Sequence, residues 1–263
     1  MSRKSAKPHS TTGWDPIALW YDGWMGAEGS RFHREVAIPL TMELAAPRRG
    51  HRVLDVGCGQ GVLAQQIVGR GAHYTGIDVS RTLVHKAIAR HGTTANSRFL
   101  HCDAGMRSRY AKHGPFDLAI LLLSVQDMPA IDRVFSSVGS ALRPRGRIVI
   151  VMTHPCFRIP RMSGWGVDPG RKLVYRRVDG YLTSRKIPIR LHGRNVAKTF
   201  SYHRPLSEYT RELARAGFSI DALEERTVTA EQQRKIAIRG PSRHNEDIPV
   251  LLGIVASRGR QGR

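Results

Sequence analysis

Between residues 50 and 153 the chain alternates five short apolar runs with stretches of helical periodicity, and that alternation leaves few folds open to it. The runs are HRVLDVG (51–57), HYTGIDV (73–79), SRFLHCDA (97–104), FDLAILLL (116–123) and GRIVIVMT (146–153). Short, almost continuously apolar segments of this kind suit strands covered on both faces, as in a parallel sheet. Parallel neighbours need a crossover, usually a helix, and the intervening sequence supplies it. VLAQQIVGRG (62–71) predicts a helix ending at Gly71. SRTLVHKAIARHG (80–92) predicts one capped by Ser80 and closed by Gly92. IDRVFSSVGSALRP (131–144) predicts a third that stops before Pro144, because proline disfavours helix in the residue ahead of it.

Outside this block the pattern changes. DPIALWYDGWMG (15–26) and SRFHREVAIPLTMELA (30–45) predict helices that cover a ligand crevice. Residues 155–204 break the alternation with four prolines and β-like pieces such as KLVYRRV, which predicts an inserted loop or hairpin lid. PLSEYTRELARAG (205–217), FSIDALEE (218–225) and IPVLLGIVAS (248–257) then restore helix, strand and strand. The expected fold is α/β: a Rossmann-like, seven-stranded, mostly parallel sheet with helices on both faces and a basic lid inserted after the fifth strand. The expected organisation is a flexible basic tail (1–13) and one domain (14–263). That domain divides into an N-terminal helical cover (14–49), a core (50–153), the insert (155–204) and a C-terminal helix with the last strands (205–257).

The first strand runs into its helix through VLDVGCGQG, where Gly57, Gly59 and Gly61 let the backbone adopt positive φ and approach a ligand closely. The spacing is GxGxG, not the GxGxxG of dinucleotide sites, and no Lys-Ser or Lys-Thr follows to make a phosphate loop. Asp55, Asp78 and Asp103 stand at or near the carboxyl ends of three successive strands. There Asp78 can accept hydrogen bonds from ribose hydroxyls and Asp103 lies where an adenine would. Each acid alone would be read as a cap of the following turn. Together, in so basic a protein, they predict a nucleoside-bearing cofactor with a cationic end.

VLDVGCGQG, GIDVS, HCDAG and FDLAILLLSVQDM resemble successive motifs of the class I methyltransferases that use S-adenosylmethionine (SAM), particularly the type 11 group, over about residues 50–153. That resemblance implies SAM as cofactor and a methyl acceptor. It implies that Gly57, Gly59 and Gly61, with Cys58 and Gln60 between them, flank the methionine part, and that Asp55 orients the loop and helps bind the amino group. It further places Asp78 and Val79 at the ribose, Asp103 and Ala104 at the adenine, and Leu121 and Gln126 near the sulfonium.

Few residues are obligatory for methyl transfer, because SAM carries its own leaving group. The main candidates are His154 past the fifth strand, Tyr21 in the cover and Gln126 past the fourth strand, followed by Asp127, His33, Tyr202 and His203. Turn packing beside Pro155 competes with a basic role for His154, and ordinary helix packing with a catalytic role for Tyr21. Cys156 follows Pro155, but the fourth strand lacks the partnering Pro-Cys of cysteine-dependent pyrimidine methylation.

Charge bears on the acceptor. The chain carries 42 Lys and Arg against 21 Asp and Glu, a formal +21, yet 34 of the 42 are Arg, a skew that codon bias also produces. Residues 155–204 hold twelve basic and two acidic residues, so an anionic ligand is expected there, with Arg158 and Arg161 able to hold an acidic group. The leading expectation is a small-molecule acceptor. The alternative is RNA tracked by the basic insert, and a third reading binds SAM or a partner without turnover. Cys58, Cys102 and Cys156 form no CxxC pair, so neither a disulfide framework nor a metal site is expected. No apolar run reaches the roughly 20 residues that span a bilayer, and a cytoplasmic location is expected.

Overall fold

The computed structural model describes residues 13–92, 94–190, 198–236 and 247–259. All but Gly13 of the expected N-terminal tail lies outside the described residues. In chain order the principal elements are α1 (Ala18–Met25), α2 (Ile38–Ala45), β1 (Arg52–Val56), α3 (Ala64–Val68), β2 (His73–Asp78), α4 (Arg81–His91), β3 (Ser97–His101), β4 (Phe116–Leu122), α5 (Ile131–Ala141) and β5 (Leu142–Thr153). The insert follows as β6 (Ser163–Asp168), β7 (Leu173–Val178), β8 (Arg185–Arg190) and β9 (Lys198–His203). The chain continues through α6 (Leu206–Arg215), β10 (Phe218–Arg226), α7 (Ala230–Ile236) and β11 (Leu251–Arg258).

Seven strands form one sheet in the order β10-β11-β5-β4-β1-β2-β3. Only β11 runs against the rest, pairing antiparallel with both β5 and β10. From β1 the chain steps outward through β2 and β3, then crosses to the other side of β1 for β4 and β5, so strand order reverses between β1 and β4. A crevice opens at the carboxyl ends of strands at such a reversal.

Alternation along each strand builds two cores. Val53, Leu118, Ile120 and Val149 pack with Leu40, Ala64, Ile67 and Val84 on the face covered by α2, α3 and α4. Leu54, Ala119, Leu121 and Ile150 pack with Val134, Phe135, Tyr209 and Leu213 on the face covered by α5 and α6. The seven-stranded, mostly parallel sheet with helices on both faces is therefore as the sequence indicates.

Helix boundaries differ in two places. The helix expected to run to Gly71 is only Ala64–Val68, because turns of the glycine loop continue through Leu63 and Gly69 closes the far end. The helix expected to stop ahead of Pro144 ends at Ala141. Leu142 is already extended and pairs with Phe116, so Pro144 lies at the irregular start of β5. The Ser80 cap stands, its hydroxyl accepting from Leu83 N. The insert consists of two antiparallel hairpins, β6–β7 and β8–β9. No helix among the described residues is long and apolar enough to cross a membrane.

Candidate functional site

The strand-order reversal places the end of β1 beside the end of β4. Gly57 N and Cys58 N both donate to Ile77 O of β2 (2.8 and 3.0 Å), turning the chain sharply off β1. Ser124, just past β4, donates its hydroxyl to Val56 O at 2.7 Å. Gly57 has φ +74°, and a Cβ there would stand 2.6 Å from Ser124 Cβ. Only glycine fits that turn. A small cleft opens above it. Tyr21, Asp55, Gly57, Cys58, Gly59, Gln60 and Leu122 are among its lining residues.

Two buried carboxyl groups, Asp55 and Asp78, and a half-buried third, Asp127, are electrostatically coupled in this region. Asp55 is buried, accepts a 2.7 Å hydrogen bond from Tyr74 Oη, and is pushed up to about 7 by burial, with Asp78 adding and Tyr74 opposing. Asp78 accepts from Gly59 N and Ser80 N, both at 2.8 Å, which ties the glycine loop to the start of α4. Burial nevertheless raises it above the usual carboxylate range. Asp127, in the turn after β4, is pushed up to about 8 by burial and by Asp78. Raised carboxyls mean negative charge that the protein itself does not compensate, which is what a cationic ligand requires. The trio singled out in the sequence had Asp103 in place of Asp127. Asp103 is exposed after β3, where its Oδ1 accepts from Gly105 N at 2.8 Å.

The remaining expected positions divide. Gln60 is buried, donates to Gly26 O at 2.8 Å, and leaves its Oε1 unpartnered. Gln126 donates to Leu123 O at 2.9 Å, and its buried Oε1 is likewise unpartnered. Val79 and Ala104 are half-buried beside the ends of β2 and β3. Leu121 corrects the reading of β4: its side chain is buried in the core against α5, and Leu122, one residue on and facing the other way, lines the cleft.

The N-terminal helical region contributes to the walls of the cleft. Tyr21, Met25 and His33 line it. Burial, then Asp127 and Asp78, raises the Tyr21 phenol above its ordinary value, so it stays a hydrogen-bond donor. Burial lowers His33 to about 4, leaving it neutral. Asp15 accepts from Ser80 Oγ (2.6 Å) and Thr82 N (3.2 Å), while Asp22 pairs with Arg90 (2.5 Å) and Lys86 (3.4 Å) of α4. Trp14 packs edge-on against Tyr21 at 5.1 Å, and Trp20 and Trp24 stack on the exposed side of α1.

His154 is buried at 2 % exposure and fully engaged: Nε2 lies 2.7 Å from Glu225 Oε1, and Nδ1 accepts from Cys156 N at 3.2 Å. Both ring nitrogens are thus committed to holding the turn after β5 against β10. His154→Ala is expected to lower unfolding stability by about 1–3 kcal/mol, measured by urea titration, while SAM affinity stays unchanged. A variant as stable as wild type but catalytically dead would reinstate it as a base. His203 donates to Tyr181 O at 2.7 Å, and Tyr202 lies under the Arg204 guanidinium. Arg204, at the end of the insert, donates to Met128 O (2.8 Å) and Pro129 O (2.9 Å), fixing the insert to the loop after Asp127.

A family model described as a methyltransferase domain matches residues 30–223. A ubiquinone biosynthesis O-methyltransferase from Xylella fastidiosa is 26% identical over 140 residues, covering 52% of this chain and 56% of that protein. A nocamycin O-methyltransferase from Saccharothrix syringae is 32% identical over 161 residues, covering 60% and 54%. The match thus spans about half the length of these curated relatives. Among solved structures, an S-adenosylmethionine-dependent methyltransferase from Mesorhizobium loti superposes with a TM-score of 0.69 at 24% identity, covering 89% of this chain and all of that one.

Proposed function

The chain belongs to the methyltransferase-domain family, and on that premise we propose that it transfers the methyl group of SAM to an oxygen, nitrogen or carbon atom of a small-molecule acceptor. The observation that carries this reading is the set of raised carboxyls, Asp55, Asp78 and Asp127, beside a glycine-lined cleft in a protein of net charge +21. SAM, when bound, supplies a methyl carbon on a cationic sulfur that leaves readily.

The chain's own residues then bind and orient. The backbone of Gly57, Cys58, Gly59, Gln60 and Gly61 flanks the methionine part, and Asp55 attracts its amino group through the Tyr74-held carboxyl. Asp78 has lone pairs left on both oxygens for the ribose. Val79, Asp103 and Ala104 frame the adenine, with Leu122 and Gln126 nearer the sulfur. Asp127 is the best-suited proton acceptor: a carboxyl titrating near 8 is poised for general-base work close to neutrality. Tyr21 donates a hydrogen bond to hold the acceptor, and the insert forms the acceptor side. The names of the two curated relatives, for ubiquinone biosynthesis and nocamycin, favour a small acceptor over RNA. Three unpaired thiols, Cys58, Cys102 and Cys156, support a cytoplasmic location.

Calorimetric titration with SAM, and separately with NAD, tests the cofactor: SAM binds and NAD does not. The pH series is more pointed. A raised carboxyl favours the folded, ligand-free protein at low pH and costs stability as pH rises through its folded value. A cationic ligand lowers that value again, so binding releases protons and tightens as pH rises. SAM affinity is expected to increase roughly tenfold from pH 6 to 8. Flat affinity over that span would remove the carboxyls from the site.

A further inference from the structure

Arg158 is an unusually placed charge among the described residues. It sits in the turn after β5, its N–H donating to His154 O at 2.8 Å, on the sheet edge that also carries the cleft. Its Nε and Nη2 are both closed to solvent and have no hydrogen-bond partner. These two nitrogens form one edge of the guanidinium, with parallel N–H groups at the spacing of two oxygens of a carboxylate or phosphate. No carboxylate pairs with it among the described residues.

The next guanidinium makes the arrangement more demanding. Arg176 of β7 uses its own Nε and Nη2 on Phe157 O (3.1 and 2.6 Å), reaches Ser163 Oγ at 3.2 Å, and lies 5.4 Å from the centre of the Trp165 ring. Arg176 is thereby fixed beside Arg158, and its charge, after burial, lowers the Arg158 guanidinium to about 10. Two like charges side by side, one of them with two donors closed to solvent and unpaired, are unfavourable unless an anion joins them. Arg161, which the sequence suggested as the partner, pairs with no acid among the described residues, and the hairpin brings Arg176 alongside instead.

We propose that Arg158, backed by Arg176, is the binding site for an oxyanion of the acceptor, a carboxylate or phosphate group. This rests on the methyltransferase reading and narrows it to acidic acceptors. β5 is two strands from β1, about 10 Å at ordinary strand spacing. An acid held at Arg158 therefore has its reacting atom a small molecule's length away, near the turn that carries Asp127.

The test uses the full chain with benzoate and inorganic phosphate as probes, benzyl alcohol as the neutral control, and SAM titrated in the same samples. Wild type binds at least one of the two anions and not benzyl alcohol. Arg158→Gln weakens that anion at least tenfold, and Arg158→Lys, which keeps the charge but loses the fork, weakens it nearly as much. SAM affinity stays unchanged in both. Thermal stability of Arg158→Gln equals or exceeds wild type, because a charge with two solvent-closed, unpaired donors is removed; a purely structural arginine would show a loss. Anion binding indifferent to Arg158→Gln, or no anion binding in a protein that binds SAM, overturns the proposal and leaves the methyltransferase reading standing. Arg158-dependent anion binding in a protein that ignores SAM does the reverse.

Discussion

Gly57→Ala is expected to lower the free energy of unfolding by about 2–5 kcal/mol and to abolish measurable SAM binding. Two effects add. A non-glycine residue at φ +74° costs roughly 1–2 kcal/mol. The new methyl also meets Ser124 Cβ at 2.6 Å, where relief means moving the turn after β4 and costs roughly another 1–3 kcal/mol. Gly59→Ala is the internal control. Its φ of +53° carries the backbone strain, but nothing lies within 4 Å of the added carbon, so about 1 kcal/mol is expected. Urea denaturation of the two variants separates the terms. Equal losses would mean that contact across the strand-order reversal does not restrict this site.

Asp78→Ala is expected to weaken SAM binding more than tenfold, at least about 1.4 kcal/mol, with the protein still folded. The carboxylate joins Gly59 N to Ser80 N, so its loss both loosens the glycine loop and removes the acceptor for the ribose. Its raised pKa shows that the charge itself is held at a cost, which limits the penalty to the ligand-free fold. Calorimetry with SAM decides it, and unchanged affinity would take Asp78 out of the ribose site.

Much of this was legible in the sequence because parallel strands covered on both faces must be apolar throughout, and five such runs stand out between 50 and 153. The glycine turn was legible because its spacing is local. What escaped depends on contacts between distant residues. Glu225 of β10 reaches His154 across β11, a partner that the sequence, which offered turn packing beside Pro155 as the alternative to a base, does not reveal. Arg176 meets Arg158 through the register of β6 on β7, while Arg161, nearer in sequence, looked the better partner. The exchange of Leu121 for Leu122 is a matter of parity, since a one-residue shift along a strand turns the side chain to the other face. Asp127 was noticed beside Gln126, but its desolvation beside Asp78 shows only when β4 and β2 are set on either side of β1.

The placement of tryptophan gives this protein a ready optical signal. Of its four tryptophans, Trp14, Trp20 and Trp24 belong to the N-terminal cover and Trp165 to the first hairpin of the insert. The seven-stranded sheet contains none. Trp14 rests on Tyr21 at the cleft, and Trp165 lies beside Arg176. Intrinsic indole emission from the native protein therefore originates entirely in the N-terminal segment, which lines the cleft through Tyr21, and in the first hairpin of the insert. A shift in its wavelength or quenching on adding a ligand reads the cover and the insert directly, with no background from the core and no label.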